Sequence, residues 1–499
     1  PRFGALRYLD LDLPDDYPEA PSRKGACIVL PVLTNAKRLG RSAHALASSH
    51  FEHPGSHTMA IMLGLGLIVS LVVASCQWPN RTRAMIGPAP GKWQAPGVWM
   101  GAEPKIRVRI SKPTEELVIG GPRLLLAREA SGRVRIFRTP LLVSSSSAGV
   151  VLTEPGDQKT TVPGYVELES GDPKPPTRPR RGTTEYYADA PTIAVQGVEY
   201  AGVVRFSAEA EGVQAINTID LEPYVAAVAS RELYPSWSLA AYEAQTIAAR
   251  SYALQSMSLP KFRDRAWDVE SSTVDQAYPG HTVHERSIQA VINTRGQVVS
   301  YRGNILRTYY SSTSGGRSGS AADTWPTGPG FEYNLLAPLQ AHNIVHASEA
   351  SRLHRWQVVR KADEVTKRVR AWGEGAGHTL KNARAVSNIT VHRTNRAGRP
   401  ANYRVGERNG VSHTLSAEQL RIALNHAAKG LKKPSGDDRV RSGDFEVTAA
   451  GERLVIRGRG FGHGVGMCQF SAEALSKRGW AAEAILENFY PRAPIERAC

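Results

Sequence analysis

Cysteine is scarce. Cys27, Cys76, Cys468 and Cys499 are the four in 499 residues, and no two form a C-x-x-C pair. Neither a disulfide scaffold nor a structural zinc ribbon can be built from so few, so widely spaced. A fixed-period repeat is also absent, which removes solenoids and propellers. Acidic residues are outnumbered, 46 against 62 basic, for a net charge of +16. That balance favours an anionic partner such as nucleic acid, a membrane surface or a wall polymer, though it also serves plain solubility. Hydrophobic residues reach 41%, which supports a real core and excludes wholesale disorder. The length allows two or more domains.

Long apolar runs are missing with one exception. After Met59, the first methionine, comes "MAIMLGLGLIVSLVVASC", uncharged throughout. It is short for a membrane span and suits the hydrophobic region of a signal peptide. Val73-Ala74-Ser75-Cys76 looks like a lipobox, in which Cys76 carries a thioether-linked diacylglycerol as membrane anchor. A plain cleaved signal or an uncleaved anchor is the alternative. No Lys or Arg lies between Met59 and the run; Lys37, Arg38 and Arg41 supply a basic region only from an upstream start. The expected organisation is therefore an upstream segment outside the working protein (1–58), a signal peptide with lipobox (59–76), and a Pro/Gly-rich tether (77–103).

Beyond the tether, "KIRVRI", "EELVIGG", "RVRIFRTPLLV", "GVVLTE" and "GYVELES" read as short strands in a β-rich part, 104–184, that ends in the basic loop "GDPKPPTRPRRGTT". Strands resume in 185–499, and then the period changes. Asp220 is placed to cap a helix "LEPYVAAVASREL", with Pro223 in its first turn. A second helix, Leu239 to Met257, carries Ala240, Ala244, Ile247, Ala248, Ser251 and Leu254 on one stripe. More strands run to about Arg307, followed by a Ser/Gly turn at 311–320, a mixed region to about Leu431, and a strand–loop–helix unit. Segregated strands and helices imply an α+β fold.

The closing unit contains "GRGFGHGVGMCQ", with glycine at every second position from Gly458 to Gly466. It is neither G-x-G-x-x-G, since His463 stands where the third glycine belongs, nor G-x-x-x-x-G-K-[ST], so it offers no phosphate cradle. His463 and Cys468 lack further nearby ligands for a metal. As an extended segment it would set Gly460, Gly462, Gly464 and Gly466 on one bare face, for close approach by a ligand or for tight packing alone. Glu232 is the carboxylate of interest. At the end of an apolar helix and before an aromatic turn with Tyr234 and Trp237, its charged form is disfavoured, as suits a general acid. The ordinary alternative is a helix-end glutamate paired with Arg231. Arg250, among alanines, needs a buried partner or a polar ligand. "YYSSTSGGRSGS" is not G-x-S-x-G, so Ser314 is no hydrolase nucleophile.

Four segments in order, "NTIDLEPYVAAVASRELYPSWSLAAYEAQTIAARSYAL", "DQAYPG", "TRGQVVSYRGNILRTYYSSTSGGRSGSAADTW" and "GRGFGHGVGMCQFSAEALSKRGWAAEAILENFYP", resemble the family of stage II sporulation protein D and the amidase enhancers. The resemblance spans about 187–497. It implies a β-rich, multi-lobed domain with a few short helices around a glycan cleft. It implies a lytic transglycosylase of peptidoglycan strands freed of their stem peptides. Glu232, in "SREL", takes the family's catalytic position: acid to the leaving glycosidic oxygen, then base to the muramoyl C6 hydroxyl that closes a 1,6-anhydro ring. Gln245, Arg250, Tyr252, Gln276, Tyr278, Ser314, Gly315, Gly316, His463, Gly464, Gly466 and Gln469 become cleft or glycan-binding positions. His463 could also serve as a second acid or base, ranked below Glu232.

Three departures from the family pattern stand out. Arg231 separates Ser230 from Glu232 and Tyr234 replaces a proline. Cys468 stands where serine is usual. "DVESSTVDQAYPG" has no Cys or His for the zinc that some members bind, so no metal or cofactor is expected. Implied partners are peptidoglycan strands, a cell-wall amidase, and the membrane through the lipid at Cys76. The alternative role is a non-catalytic glycan binder that enhances an amidase. A nucleic-acid partner, suggested by charge alone, is disfavoured by the export signal and by the lack of a recognised motif.

Overall fold

The computed structural model describes residues 103–172, 182–259 and 264–498. The expected upstream segment, signal peptide with Cys76 and tether, up to residue 102, lie outside the described residues. So do most of the basic loop and Cys499.

The expected strands form because apolar side chains alternate along them. Lys105–Thr114 buries Ile106 and Val108, and Glu116–Gly120 buries Leu117 and Ile119. They enter two facing sheets. The larger runs, across its width, Val269–Glu270, Lys105–Thr114, Gly212–Asp220, Val203–Glu209, Tyr165–Ser170, Leu124–Glu129 and Val134–Arg138. Its pairings are antiparallel except that of Val269–Glu270 with Lys105–Thr114. The smaller runs Val198–Ala201, Thr192–Val195, Glu116–Gly120, Leu141–Ser146, Gly149–Thr153 and Lys159–Val162. Val108, Leu125, Val143, Leu152, Val204 and Phe206 fill the space between. Strands from either side of residue 184 share both sheets and interleave in the larger one. "RVRIFRTPLLV" is two strands rather than one: Val134–Arg138 and Leu141–Ser146 part at Thr139-Pro140 and join different sheets.

Two helices follow the sheets. Leu221–Glu232 begins at Asp220, as expected, but the carboxylate of Asp220 does not cap it. Asp220 accepts instead from Lys105 Nζ at 2.5 Å and from the Tyr186 hydroxyl at 2.7 Å. Glu103 Oε1 takes the free Glu222 amide at 2.8 Å. Leu239–Ser258 is buried almost all round, which its small residues permit. Val299, Met467, Leu475, Ile485 and Phe489 make a second core with it. Between them the chain differs from the expected run of strands: Glu285–Asn293 is a helix, its first turn held by His284 Nδ1 accepting from the Ser287 amide at 3.2 Å. The β-branched residues of "VHERSIQAVIN" suit either state, and burial of Ile288 and Val291 on one helical face decides.

The mixed region holds a third core. Strands Arg355–Lys361, Arg453–Arg459 and Phe445–Ala450 form one sheet, Val386–Thr394, Pro400–Glu407 and Ser412–Ser416 another. Helices Ala362–Ala376 and Ala417–Leu424 pack on them through Val365, Val369, Leu420 and Leu424. The observed mixture of helices and strands is α+β.

Candidate functional site

Glu232 is the last residue of the Leu221–Glu232 helix. Helix ends present bare carbonyls and partial negative charge, which disfavour a carboxylate there. Its Oε1 accepts from the Ala277 amide at 3.3 Å and its Oε2 from Gln469 Nε2 at 3.1 Å. Burial pushes the Glu232 carboxyl above its ordinary range, against the pull of those two hydrogen bonds and of Arg231. The residue nevertheless stays partly accessible. Tyr234, Trp237 and Phe470 pack as one aromatic group, with centroids 5.0 to 6.0 Å apart, immediately after Glu232 in one segment and Gln469 in the other.

Three glutamines and two tyrosines complete the surroundings. Gln469 opens the Gln469–Lys477 helix and also donates to Gln245 Oε1 at 3.4 Å. Gln245 Nε2 is buried without an acceptor among the described residues. Gln276 donates to the Ala249 carbonyl at 3.3 Å and the Tyr310 hydroxyl at 2.9 Å, and accepts from Tyr224 at 3.0 Å. Burial, and then the charge of Glu232, hold the Tyr310 phenol well above its ordinary range, so it stays protonated. Tyr310 was not singled out by its sequence context, since one tyrosine of "YYSS" looks like the other. Tyr252 donates to Asp275 Oδ1 at 2.9 Å, and Asp275 Oδ2 accepts from the Glu270 amide at 3.0 Å. Together these fix the turn that delivers the Ala277 amide. Tyr252 is thus a support for the site, and Arg307 closes over its ring at 4.0 Å.

Two expected glycan contacts are structural instead. Arg250 is fully buried; Nε and Nη2 donate to Glu222 at 2.9 and 2.6 Å, and Nη1 to the Gln297 carbonyl at 3.0 Å. The buried partner that an arginine among alanines requires is Glu222, so the guanidinium faces no cleft. Tyr278 is 5% exposed, donates to Asn217 Oδ1 at 2.8 Å and packs against Tyr200 and Tyr224.

The glycine-rich loop also departs from expectation. Gly460, Gly462, Gly464 and Gly466 have φ of 73°, 94°, 72° and 68°, so the segment is a chain of left-handed turns rather than an extended strand. Their bare faces meet protein. A Cβ on Gly460 would lie 2.4 Å from the Thr313 carbonyl oxygen, one on Gly464 2.6 Å from Arg399, and one on Gly466 2.0 Å from the Tyr309 carbonyl oxygen. Close packing is the use of these glycines, and no bare wall faces a ligand. Gly315, at φ 66°, fits against Gly460 in the same way, and Gly316 faces the His346 ring. Ser314 is buried; its amide donates to Cys468 Sγ at 3.4 Å, and its hydroxyl has no partner among the described residues. Cys468 Sγ approaches the Ser312 carbonyl at 3.8 Å, the position a serine hydroxyl would fill. His463 accepts from the Val465 amide at 3.0 Å and lies edge-on to Trp325; burial pushes its pKa down to about 4, which keeps it neutral. Glu232 takes its hydrogen bonds from Ala277 and Gln469, not from His463. Among the described residues no three His, Cys, Asp or Glu side chains gather as a metal site requires.

The site therefore joins Glu232, Gln245, Gln276 and Gln469 with Tyr310, and the glycine loop braces it through Gln469. Residues 209–301, which hold Glu232, Gln245 and Gln276, match the family described as Stage II sporulation protein. Residues 334–466 match a domain of unknown function (DUF8618). Among curated proteins, the chain is 24% identical over 299 residues to an uncharacterised protein of Brachyspira hyodysenteriae, covering 60% of this chain and 72% of that one. It is 24% identical over 328 residues to the amidase enhancer of Bacillus subtilis, covering 62% of this chain but 45% of that protein, less than half its length. It is 24% identical over 301 residues to stage II sporulation protein D of Bacillus subtilis, covering 57% and 77%. The matched segment, the order of its motifs and these relatives agree in supporting the family of stage II sporulation protein D and the amidase enhancers.

Proposed function

We propose that this protein is an exported cell-wall enzyme that cleaves peptide-free peptidoglycan strands by lytic transglycosylation, with Glu232 as acid and base. The supporting observation is the state of Glu232: a partly accessible carboxyl whose charged form burial disfavours, aimed by the Ala277 amide and Gln469. A carboxyl that binds its proton more tightly than an ordinary glutamate can give that proton to the glycosidic oxygen as the bond to the muramoyl C1 breaks. The carboxylate so formed takes the proton of the C6 hydroxyl while that oxygen bonds to C1. Glu232 ends protonated as it began, and no water enters, so a second carboxylate is unnecessary. The half-buried Tyr310 presents a polar group near this carboxyl, suited to a sugar hydroxyl, while the fully buried Gln245 positions Gln469. Export and anchoring through Cys76 belong to the same proposal.

The test is release of fragments from peptide-free sacculi, read by mass spectrometry. The wild-type chain gives 1,6-anhydromuramoyl ends, and Glu232→Gln lowers the rate about 10²–10⁴-fold, the usual contribution of a general acid–base group. Reducing ends instead would show hydrolysis and refute the transglycosylase step. The likeness to an amidase enhancer supports a second reading, glycan binding that assists an amidase. Retained binding with no release, and faster turnover by an added amidase, would replace the first reading with that one.

A further inference from the structure

The sheet of Arg355–Lys361, Arg453–Arg459 and Phe445–Ala450 turns one face to the third core and the other to solvent. On the outer face Arg355, Gln357 and Lys361 alternate with buried neighbours, as do Arg453 and Arg457. The register sets like charges opposite one another: Arg355 against Arg459 and Lys361 against Arg453. Like charges directly opposite one another destabilise a sheet. A fold gains nothing from them unless something anionic sits there.

At the Arg355–Arg459 end lies a groove of about 460 Å³ lined by Arg317, Arg355, Trp356, Arg457 and Arg459. Two carboxylates also line it, and neither satisfies these cations fully. Asp444 is fully buried and taken by Arg317, with Arg399 at 3.8 Å. Glu446 is exposed and stands across from Arg457. Arg317 also donates to the Gly398 carbonyl at 2.6 Å, and Arg457 Nε to Gln357 Oε1 at 2.9 Å. The guanidinium groups of Arg355 and Arg459 have no acceptor among the described residues. Burial, then Arg317 and Arg355, push Arg459 below its ordinary range, against the pull of Asp444 and Glu446.

We propose that Arg355 and Arg459 form a binding site for a carboxylate carried on a glycan strand, the lactyl carboxylate of a muramoyl residue whose peptide has been removed. Two adjacent forks match a planar carboxylate. A peptide-bearing muramoyl residue presents an amide there and lacks the charge. The groove is joined to the reaction site through the chain: Arg459 precedes Gly460, which packs on Thr313 and Gly315, and the same loop runs on to Gln469 against Glu232. The site rests on the reading that a glycan strand is the substrate, and it adds how a peptide-free strand is preferred.

The experiment measures binding of peptide-free glycan strands, stripped of wall phosphate polymers, to the chain carrying Glu232→Gln, so that the strands survive. The same strands with their carboxylates converted to ethanolamides are the comparison, at fixed salt. Amidation weakens binding about ten-fold or more, equivalent to about 1.4 kcal/mol. Adding Arg355→Gln and Arg459→Gln weakens binding of the unmodified strand by a similar factor and leaves the amidated strand unaffected. Equal binding of the two strands overturns the site, and that arm needs no groove variant to fold. Displacement by poly(glycerol phosphate) at lower concentration than by peptide-free strands overturns it in favour of a phosphate polymer. Cleavage by the chain with Glu232 intact is followed in parallel. Cleavage with carboxylate-indifferent binding sinks the groove and keeps the reaction, whereas carboxylate-dependent binding without cleavage does the reverse.

Discussion

A carboxyl whose charged form is disfavoured by its surroundings leaves a trace in stability as well as in rate. Glu232 binds its proton more tightly folded than unfolded, because burial disfavours its charge. Its contribution is therefore complete below the ordinary glutamate value of 4.5 and is lost as pH rises through the elevated folded value. Glutamine carries no such charge. The melting temperature of Glu232→Gln relative to wild type should rise between pH 4 and pH 7, measured by calorimetry across that range. A difference that does not change with pH would mean the carboxyl is not desolvated. This residue was readable from its context, an apolar helix ending before Tyr234 and Trp237. Its partners were less so: Gln469 lies 237 positions away and shares no local period with it.

Helices hide their buried ions from a one-dimensional reading. Arg250 and Glu222 sit on successive helices, 28 residues apart, and both could pass for cleft residues until the helices are packed. Removing one partner leaves a charge in the core, at a cost of about 3–5 kcal/mol. Arg250→Ala is thus expected to shift the denaturant midpoint strongly. The paired replacement Glu222→Leu with Arg250→Met should recover much of the loss. A full-stability Arg250→Ala with weakened glycan binding would restore its expected role as a contact. The glycine loop teaches a related lesson about elements. Alternating glycines fit a strand with one bare face and a series of left-handed turns equally well. Only the carbonyls of Tyr309 and Thr313, pressed where a Cβ would be, select the second. The two helices around Glu232 were legible because their apolar periodicity is long. Glu285–Asn293 was not, because its short β-branched run serves either state.

At the scale of the whole molecule, the mixed composition announced α+β, while the third core around Val358, Phe445 and Leu420 could not be delimited in advance. It is bound to the rest by contacts between distant segments, among them Trp356 Nε1 to the Gly460 carbonyl at 2.8 Å and Arg399 Nη1 to the Ser314 carbonyl at 3.1 Å. The interleaving of early and late strands in the larger sheet has a practical consequence. A fragment starting at residue 185 keeps Glu232 and the glycine loop, yet loses Lys105–Thr114 and Tyr165–Ser170, which flank Gly212–Asp220 and Val203–Glu209 in the sheet. Both of those strands would then show open backbone to other molecules, the usual route to intermolecular strand pairing. Expressed alone, that fragment should elute from size-exclusion chromatography as aggregate, while one starting at residue 103 elutes as a discrete species. The smallest unit that can be handled in solution is therefore longer than the segment that carries the family's motifs.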